Sequence, residues 1–431
     1  MTPFQSYQNS SHHLEHNRYL DSDMKRTFAI LFLSCIYTFT RLITLLPRYQ
    51  RKRNETPVNR VIVCVTIDNP NWFKAHIEPL ARSDYGEIRL VCDEPVSSLP
   101  NLIYACPPLW MQKTFSRAGA KFVYTLWQGY KHPADLFMGY HIFPCALIAL
   151  ICARLLGSKA AYQVTSGITE IEGGGYGAEN SVLKALGGNS LLVENISKAV
   201  IRQFDVVFVR GSSVKKYLMN LGYENQLEIL TGSIFPAPEL MQPEREIDVV
   251  FVGRLAEIKQ IDTLINAIAE LLHSHPRIKV SIVGDGPELS RLEQLSSDLG
   301  TSQNIEFMGQ RSDVSAILGK SKLFVLTSRS ESVSIAMLEA MAMKTVPVVT
   351  KVGDLADYVE NAKTGYSIEV GDSNELANRV LNLLQDPVKR EYLAENGQRF
   401  VMQRCTLSEI STYWCRFLNI LKLSPNGQRS N

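Results

Sequence analysis

The chain has 431 residues, 45% of them hydrophobic and 20% charged. That is too long for one ordinary core and typical of a globular protein with two domains. Its formal net charge of +2 supplies no long-range attraction for nucleic acid, and its eight cysteines form no Cys-x-x-Cys pair, which argues against a zinc site or a disulfide framework and for core thiols in a reducing compartment.

Residues 1–24 are polar, with His12, His13 and His16 close together, and read as a tail. The run T-F-A-I-L-F-L-S-C-I-Y-T-F-T-R-L-I-T-L-L (27–46) follows. It is long enough to span a bilayer. Thr27, Ser34, Thr38 and Arg41 form a polar stripe along it, which suits a helix lying in the interface at least as well. Lys25 and Arg26 precede the run, and Arg48, Arg51, Lys52 and Arg53 follow it. The heavier cluster lies after the segment, so a spanning orientation leaves the rest of the chain on the cytoplasmic face. The same cations attract anionic headgroups. No small-residue cleavage site of a secretory signal is present. Residues 1–56 are therefore expected to be a tail plus a membrane-associating segment; the alternative is a helix packed on the globule.

From Val61 the pattern alternates between buried-type strands and helices. V-I-V-C-V-T-I (61–67), I-R-L-V-C (88–92), K-F-V-Y-T-L (121–126), A-A-Y-Q-V-T (160–165), D-V-V-F-V-R (205–210) and L-E-I-L-T (227–231) read as strands,. I-F-P-C-A-L-I-A-L-I-C-A-R-L-L-G (142–157) reads as a helix stopped by Gly157,. The stretch at 235–246 carries three prolines and reads as the linker,. A second alternation has strands at 248–252, 279–283, 305–308, 322–327, 346–350 and 365–369, and its clearest helix at 263–273. The expected fold class is α/β: two doubly wound, Rossmann-like domains at 57–235 and 247–405 that face a cleft. An apolar helical extension precedes them, and a carboxy-terminal helix and tail at 406–431 is free to run back over the first domain.

Four stretches of the second alternation fall at strand ends, where open α/β sheets bind ligands. V-G-R-L-A-E-I-K (252–259) offers a turn at Gly253 and two cations, Arg254 and Lys259. Arginine grips phosphate with a fork of donors and lysine acts as a point charge. G-D-G-P-E (284–288) offers Gly284, a weak signal by itself,. M-G-Q-R-S-D (308–313) places Gln310 and Arg311 in a loop suited to reading a base. S-R-S-E-S-V-S-I-A-M-L-E-A-M-A (328–342) holds Glu331 in a loop and Glu339 in a following apolar helix. Ser334 is positioned to cap that helix, and the amides around Ile335 favour an anion. A carboxylate there is costly without hydrogen-bond partners, and paired sugar hydroxyls are such partners. Either acid alone is as well explained by a cap or a surface ion pair; together with the two cations they point to a nucleotide diphosphate sugar.

With these residues in view, 248–405 resembles the nucleotide-sugar domain of family 4 glycosyltransferases, retaining enzymes of the GT-B fold. The Glu-x7-Glu signature stands as Glu331 and Glu339, and G-R-L-x-x-x-K as Gly253, Arg254, Leu255 and Lys259. The resemblance implies that Glu331 touches the donor sugar, Glu339 the ribose, and Arg254 and Lys259 the diphosphate. Gln260 stands where the family has glycine, and only Gly353 remains of a glycine pair in V-G-D-L. The first domain matches more weakly. Ser166 occupies the place of the family's active-site histidine, with His141 in a neighbouring strand-end loop as either a partial substitute or a residue without a catalytic role. The run 167–180, with three successive glycines, reads as a mobile acceptor loop or a plain connection,.

The function implied is transfer of a sugar from a nucleotide diphosphate sugar to a glycan or lipid-linked acceptor, in synthesis of surface polysaccharide or glycolipid. Neither cofactor nor metal is implied, and the partners expected are donor, acceptor and a membrane surface, with no nucleic acid. The alternatives are a non-catalytic nucleotide-sugar-binding partner, or a phosphorylase or epimerase on the same architecture.

Overall fold

The computed structural model describes residues 38, 59–67, 69–175, 189–237, 239, 241 and 244–423. The apolar run at 27–46 and the cations after it, the loop at 176–180 and part of the linker lie outside them, Thr38 apart. Among the described residues no helix is long and apolar enough to cross a membrane.

Both alternations build parallel sheets. The amino-terminal sheet comprises β1 (Arg60–Cys64), β2 (Glu87–Val91), β3 (Leu102–Tyr104), β4 (Leu136–Tyr140), β5 (Lys159–Gln163), β6 (Val206–Val209) and β7 (Gln226–Ile229), in the order β3-β2-β1-β4-β5-β6-β7. The carboxy-terminal sheet comprises β8 (Ile247–Val252), β9 (Val280–Val283), β10 (Ile305–Gly309), β11 (Ser321–Leu326), β12 (Val346–Thr350) and β13 (Tyr366–Ile368), in the order β10-β9-β8-β11-β12-β13. Helices cover both faces, which is why the central strands read as unbroken apolar runs. The strand order reverses between β1 and β4 and between β8 and β11. Each reversal opens a crevice at the carboxyl ends of those strands.

One strand expectation fails. The run 121–126 lies inside a helix, Leu109–Lys131, interrupted at Ser116 where φ is 63°. Ala120, Lys121, Thr125, Gln128 and Gly129 face inward at helical spacing. A Cβ on Gly129 would sit 2.4 Å from the Phe137 ring, so the helix rests directly on β4. Packing along the helical stretch after the break at Ser116 outweighs the β preference of six residues,. β3, one of the sheet's two edge strands, has three half-covered residues, too short to announce themselves.

The carboxy-terminal helix Leu407–Leu423 belongs to the first domain's core. Trp414 and Leu418 are buried beside Val61, Met138 and Phe208, and the Trp414 and Phe208 rings lie 4.8 Å apart. The chain thus crosses between domains twice, and the crossings touch: Ile234 bridges Thr406, and the Ile234 N–H donates to the Cys405 carbonyl at 2.8 Å.

Candidate functional site

The crevice between β8 and β11 gathers the strongest of the expected residues. After β8, Gly253 turns the chain and Glu257–Lys259 forms a short 3-10 turn. After β11, the loop is stitched to that turn: the Arg329 N–H donates to the Ile258 carbonyl at 2.8 Å, and Thr327 Oγ1 donates to the Lys259 carbonyl at 2.9 Å. The two loops therefore carry their side chains as one unit. Lys259 Nζ donates to Glu331 Oε2, and Ser328 Oγ donates to the same oxygen at 3.3 Å. Both members of the Lys259–Glu331 pair remain partly open to the crevice, 21% and 15% exposed. Arg254 stands exposed at the rim.

Ser334 caps the helix Ile335–Ala342, its side chain accepting from the Met337 N–H at 3.2 Å. Ile335 opens that helix, close to His76 and Gly232 of the other domain. Glu339 lies on the same helix, half-buried, and no described residue hydrogen-bonds to its carboxylate. Burial, opposed only by the charge of Lys74, pushes its pKa up to about 7. A desolvated acceptor of this kind is suited to hydroxyl groups and is a liability without them. Because the folded value lies above the ordinary 4.5, its stability contribution is full below about pH 4.5 and is lost as pH rises through about 7. Glu339→Gln is therefore expected to gain on the wild type between pH 5 and pH 8, by on the order of 2 kcal/mol in the ligand-free protein. Urea denaturation at both pH values checks this, and a pH-independent difference would contradict it.

The remaining expected residues divide. Gln310 and Arg311 lie exposed after β10, the sheet's edge strand, where Arg311 is clamped on Asp313 by two bonds of 2.8 Å. Gly284 is demanded by packing: with φ at +140°, a Cβ there would lie 1.8 Å from the Gly253 carbonyl oxygen. Gly353 serves likewise, since its Cβ would fall 1.6 Å from the carbonyl oxygen of Glu331. Gln260, where the resemblance leads one to expect glycine, has φ of 44°. The left-handed backbone there explains why glycine suits the position.

His141 is built into the other half of the cleft, just after β4. Its Nδ1 lies 2.8 Å from Thr165 Oγ1 and 3.5 Å from Glu170 Oε1. Glu170 is 2% exposed and accepts from the backbone N–H groups of Ile142 at 3.0 Å, Thr165 at 2.9 Å and Ser166 at 3.1 Å. Burial would raise this acid, but the His141 bond and charge and the amides outweigh it and hold it down at about 2. Burial would lower His141; the hydrogen bond and charge of Glu170 reverse that and raise it above the ordinary histidine value. The expected mobile loop is tied down over its described part: Ile171 is fully buried, and the Gly173 N–H donates to Glu194 Oε2 at 2.9 Å.

Glu170 and Arg210 escaped the sequence reading. Each carried the signal that singled out Glu331, a charge in apolar surroundings just beyond a strand. Arg210 is 6% exposed at the end of β6, and its Nη2 lies 2.8 Å from His76 Nε2. Burial and the Arg210 charge hold His76 far below the ordinary histidine value, so the neutral ring accepts from the guanidinium. The Arg210 charge is felt by both Glu170 and Glu331.

Residues 237–400 match the family model of the glycosyl transferases group 1. N-acetyl-alpha-D-glucosaminyl L-malate synthase of Bacillus anthracis is 23% identical over 307 residues, 68% of this chain and 77% of that protein. Poly(ribitol-phosphate) alpha-N-acetylglucosaminyltransferase of Staphylococcus aureus is 25% identical over 239 residues, 54% of this chain and 44% of that one. Among solved structures, Anabaena HepE in complex with UDP superposes with a TM-score of 0.68 at 16% identity, covering 84% of this chain and all of that one. That likeness establishes the shared two-domain architecture.

Proposed function

We propose that this chain, whose carboxy-terminal half matches the group 1 glycosyl transferases, is a retaining, metal-independent glycosyltransferase. It moves a sugar from a nucleotide diphosphate sugar to a glycan or lipid-linked acceptor at the cytoplasmic face of a membrane, in synthesis of surface polysaccharide or glycolipid. The observation that carries this reading is the Lys259–Glu331 pair at the β8/β11 crevice, with Arg254 beside it and the capped helix carrying Glu339 behind it. HepE, crystallised with UDP and with UDP-glucose, supports the reading of a nucleotide-sugar donor. The bond from the anomeric carbon to the distal phosphate oxygen breaks, and its electron pair leaves with the nucleoside diphosphate. The acceptor oxygen takes its place, and the acceptor proton passes to the departing phosphate. Arg254 and Lys259 stabilise the charge that develops there, the contribution of greatest weight in such sites. Glu331 orients the sugar rather than attacking it, Gly253, Ser334 and Ile335 shape the phosphate subsite, and Gln310 and Arg311 the base subsite. His141, held by Glu170, faces the acceptor side.

A lipid surface suits the amino-terminal domain. Leu109, Trp110 and Phe115 are exposed on one helix with Lys113 and Arg117, and no acidic residue occurs from 95 to 134. Apolar and cationic side chains together favour anionic bilayers.

Incubation of the full chain with labelled nucleotide sugars and a membrane extract tests the proposal. Label passing to an extractable lipid or glycan is the expected result. Epimerised donor, sugar phosphate, or tight binding without turnover would each replace it.

A further inference from the structure

Where the domains meet, the segment Arg210-Gly211-Ser212-Ser213 of the amino-terminal domain is held by carboxylates of the other domain that grip Ser212 and Ser213. The segment leaves β6 and starts the helix Ser212–Asn220. A helix start leaves backbone N–H groups without partners inside the helix, and the residue at the cap position, Gly211, has no side chain to supply one. The partners come from across the cleft. Asp357 accepts from the Ser212 N–H at 2.5 Å and from Ser212 Oγ at 2.6 Å. Asp354 accepts from the Ser213 N–H at 2.8 Å and from Ser213 Oγ at 2.6 Å. The approach is so close that a Cβ on Gly211 would lie 2.3 Å from the Asp354 Cβ.

Both ends of this contact reach the candidate site. Asp354 is 1% exposed. Its N–H donates to the Ser332 carbonyl at 3.1 Å, and its second oxygen lies 3.4 Å from Ser332 Oγ. Ser332 is the neighbour of Glu331, so the aspartate is fixed to the loop that carries the acid paired with Lys259. At the other end, Tyr358 Oη lies 3.4 Å from the Arg210 carbonyl. The Arg210 guanidinium is buried, near enough to Glu170 and Glu331 to feel both charges, with its Nε–H left without a partner.

We propose that Arg210–Ser213 is a closure clasp. Capping of Ser212 and Ser213 by Asp357 and Asp354 holds the two domains together, and the same segment anchors Arg210 through the Tyr358 contact to its carbonyl and its own contact with His76. The two half-sites therefore assemble only when the cleft is shut. Arg210, Asp354 and Asp357 are positioning residues, and none touches the reacting atoms. Only the turnover arm of the test rests on the glycosyl-transfer reading.

The test compares the full chain with Asp354→Ala/Asp357→Ala and with Asp354→Asn/Asp357→Asn. Small-angle scattering is recorded with and without UDP, together with UDP affinity and transfer kcat. Losing two caps is expected to shift the balance toward the open form by roughly tenfold or more. The alanine pair should therefore show a larger radius of gyration and a kcat lower by about the same factor, with UDP affinity unchanged because Arg254 and Lys259 are intact. The asparagine pair should fall between, since an amide oxygen still accepts from the two backbone N–H groups. If the alanine pair folds poorly, Ser212→Ala/Ser213→Ala removes the hydroxyl half of the clasp and should show an intermediate opening. Wild-type scattering and kcat in the alanine pair would overturn the clasp. Failure of the wild type to bind any nucleoside diphosphate would overturn the donor reading instead, and the scattering of the ligand-free proteins would still decide the clasp.

Discussion

Lys259→Ala is expected to lower transfer by roughly a hundredfold or more, the usual loss when one charge-stabilising donor is removed from a reacting centre. Two effects add in this substitution. The cation that meets the departing diphosphate disappears, and Glu331 loses the partner that aims it, keeping only Ser328 Oγ at 3.3 Å. The first effect belongs to kcat, because the leaving group gains charge as the bond breaks. The second belongs to both parameters, because the sugar is held less well in ground and transition states alike. Lys259→Arg separates them: it keeps a cation but replaces a point charge by a planar fork, so partial activity with a raised donor KM is expected. Arg254→Ala, at the rim, should reduce turnover and weaken donor binding together. Steady-state kinetics at saturating acceptor, with urea denaturation as the check on folding, provide the measurement. Unchanged rates in both alanine variants would remove these residues from the mechanism.

Glu170→Ala is expected to destabilise the protein by on the order of 3–5 kcal/mol and to abolish transfer. The carboxylate satisfies the backbone N–H groups of Ile142, Thr165 and Ser166 and faces His141. Its removal leaves buried donors without acceptors, each costing about 1–3 kcal/mol, and leaves the partly exposed His141 without its partner. The pH dependence has a definite sign. Glu170 is held below its ordinary 4.5, so its stabilisation is present above about pH 4.5 and is lost as pH falls toward 2. His141 is raised above its ordinary 6.5, so its stabilisation is full below that value and is lost as pH rises through the elevated one. The pair therefore contributes most between those limits. Glu170→Gln keeps the shape while removing the charge, and should return His141 toward or below the ordinary value. Histidine titration by NMR and urea denaturation across pH check both points, and a His141 titration indifferent to Glu170→Gln would break the argument.

Much of the architecture was legible because its signals are local. Buried parallel strands must be short apolar runs, and eleven of the observed strands correspond to stretches read directly from the sequence. The helix mistaken for a strand at 121–126 shows the limit. Six aromatic and β-branched residues carry a strand's preference, yet Gly129 lets the whole helix settle on Phe137, a contact no local window contains. Gln260 is a milder case: its departure from glycine was visible, but the left-handed backbone that makes the departure meaningful was not.

The candidate site divides along the same line. By itself the sequence determined the carboxy-terminal half, because Arg254 and Lys259 lie on one loop, and Glu331, Ser334 and Glu339 on one loop and the helix after it. Residues held by a single turn keep their relation wherever the chain folds. Tertiary structure alone decided that Lys259 would meet Glu331, that Glu170 would hold His141, and that Arg210 would meet His76. It also joined Ser213 to Asp354 across 141 residues. Such contacts depend on the two sheets closing over one cleft and on the last helix returning to the first domain, so their partners carry no shared pattern along the chain.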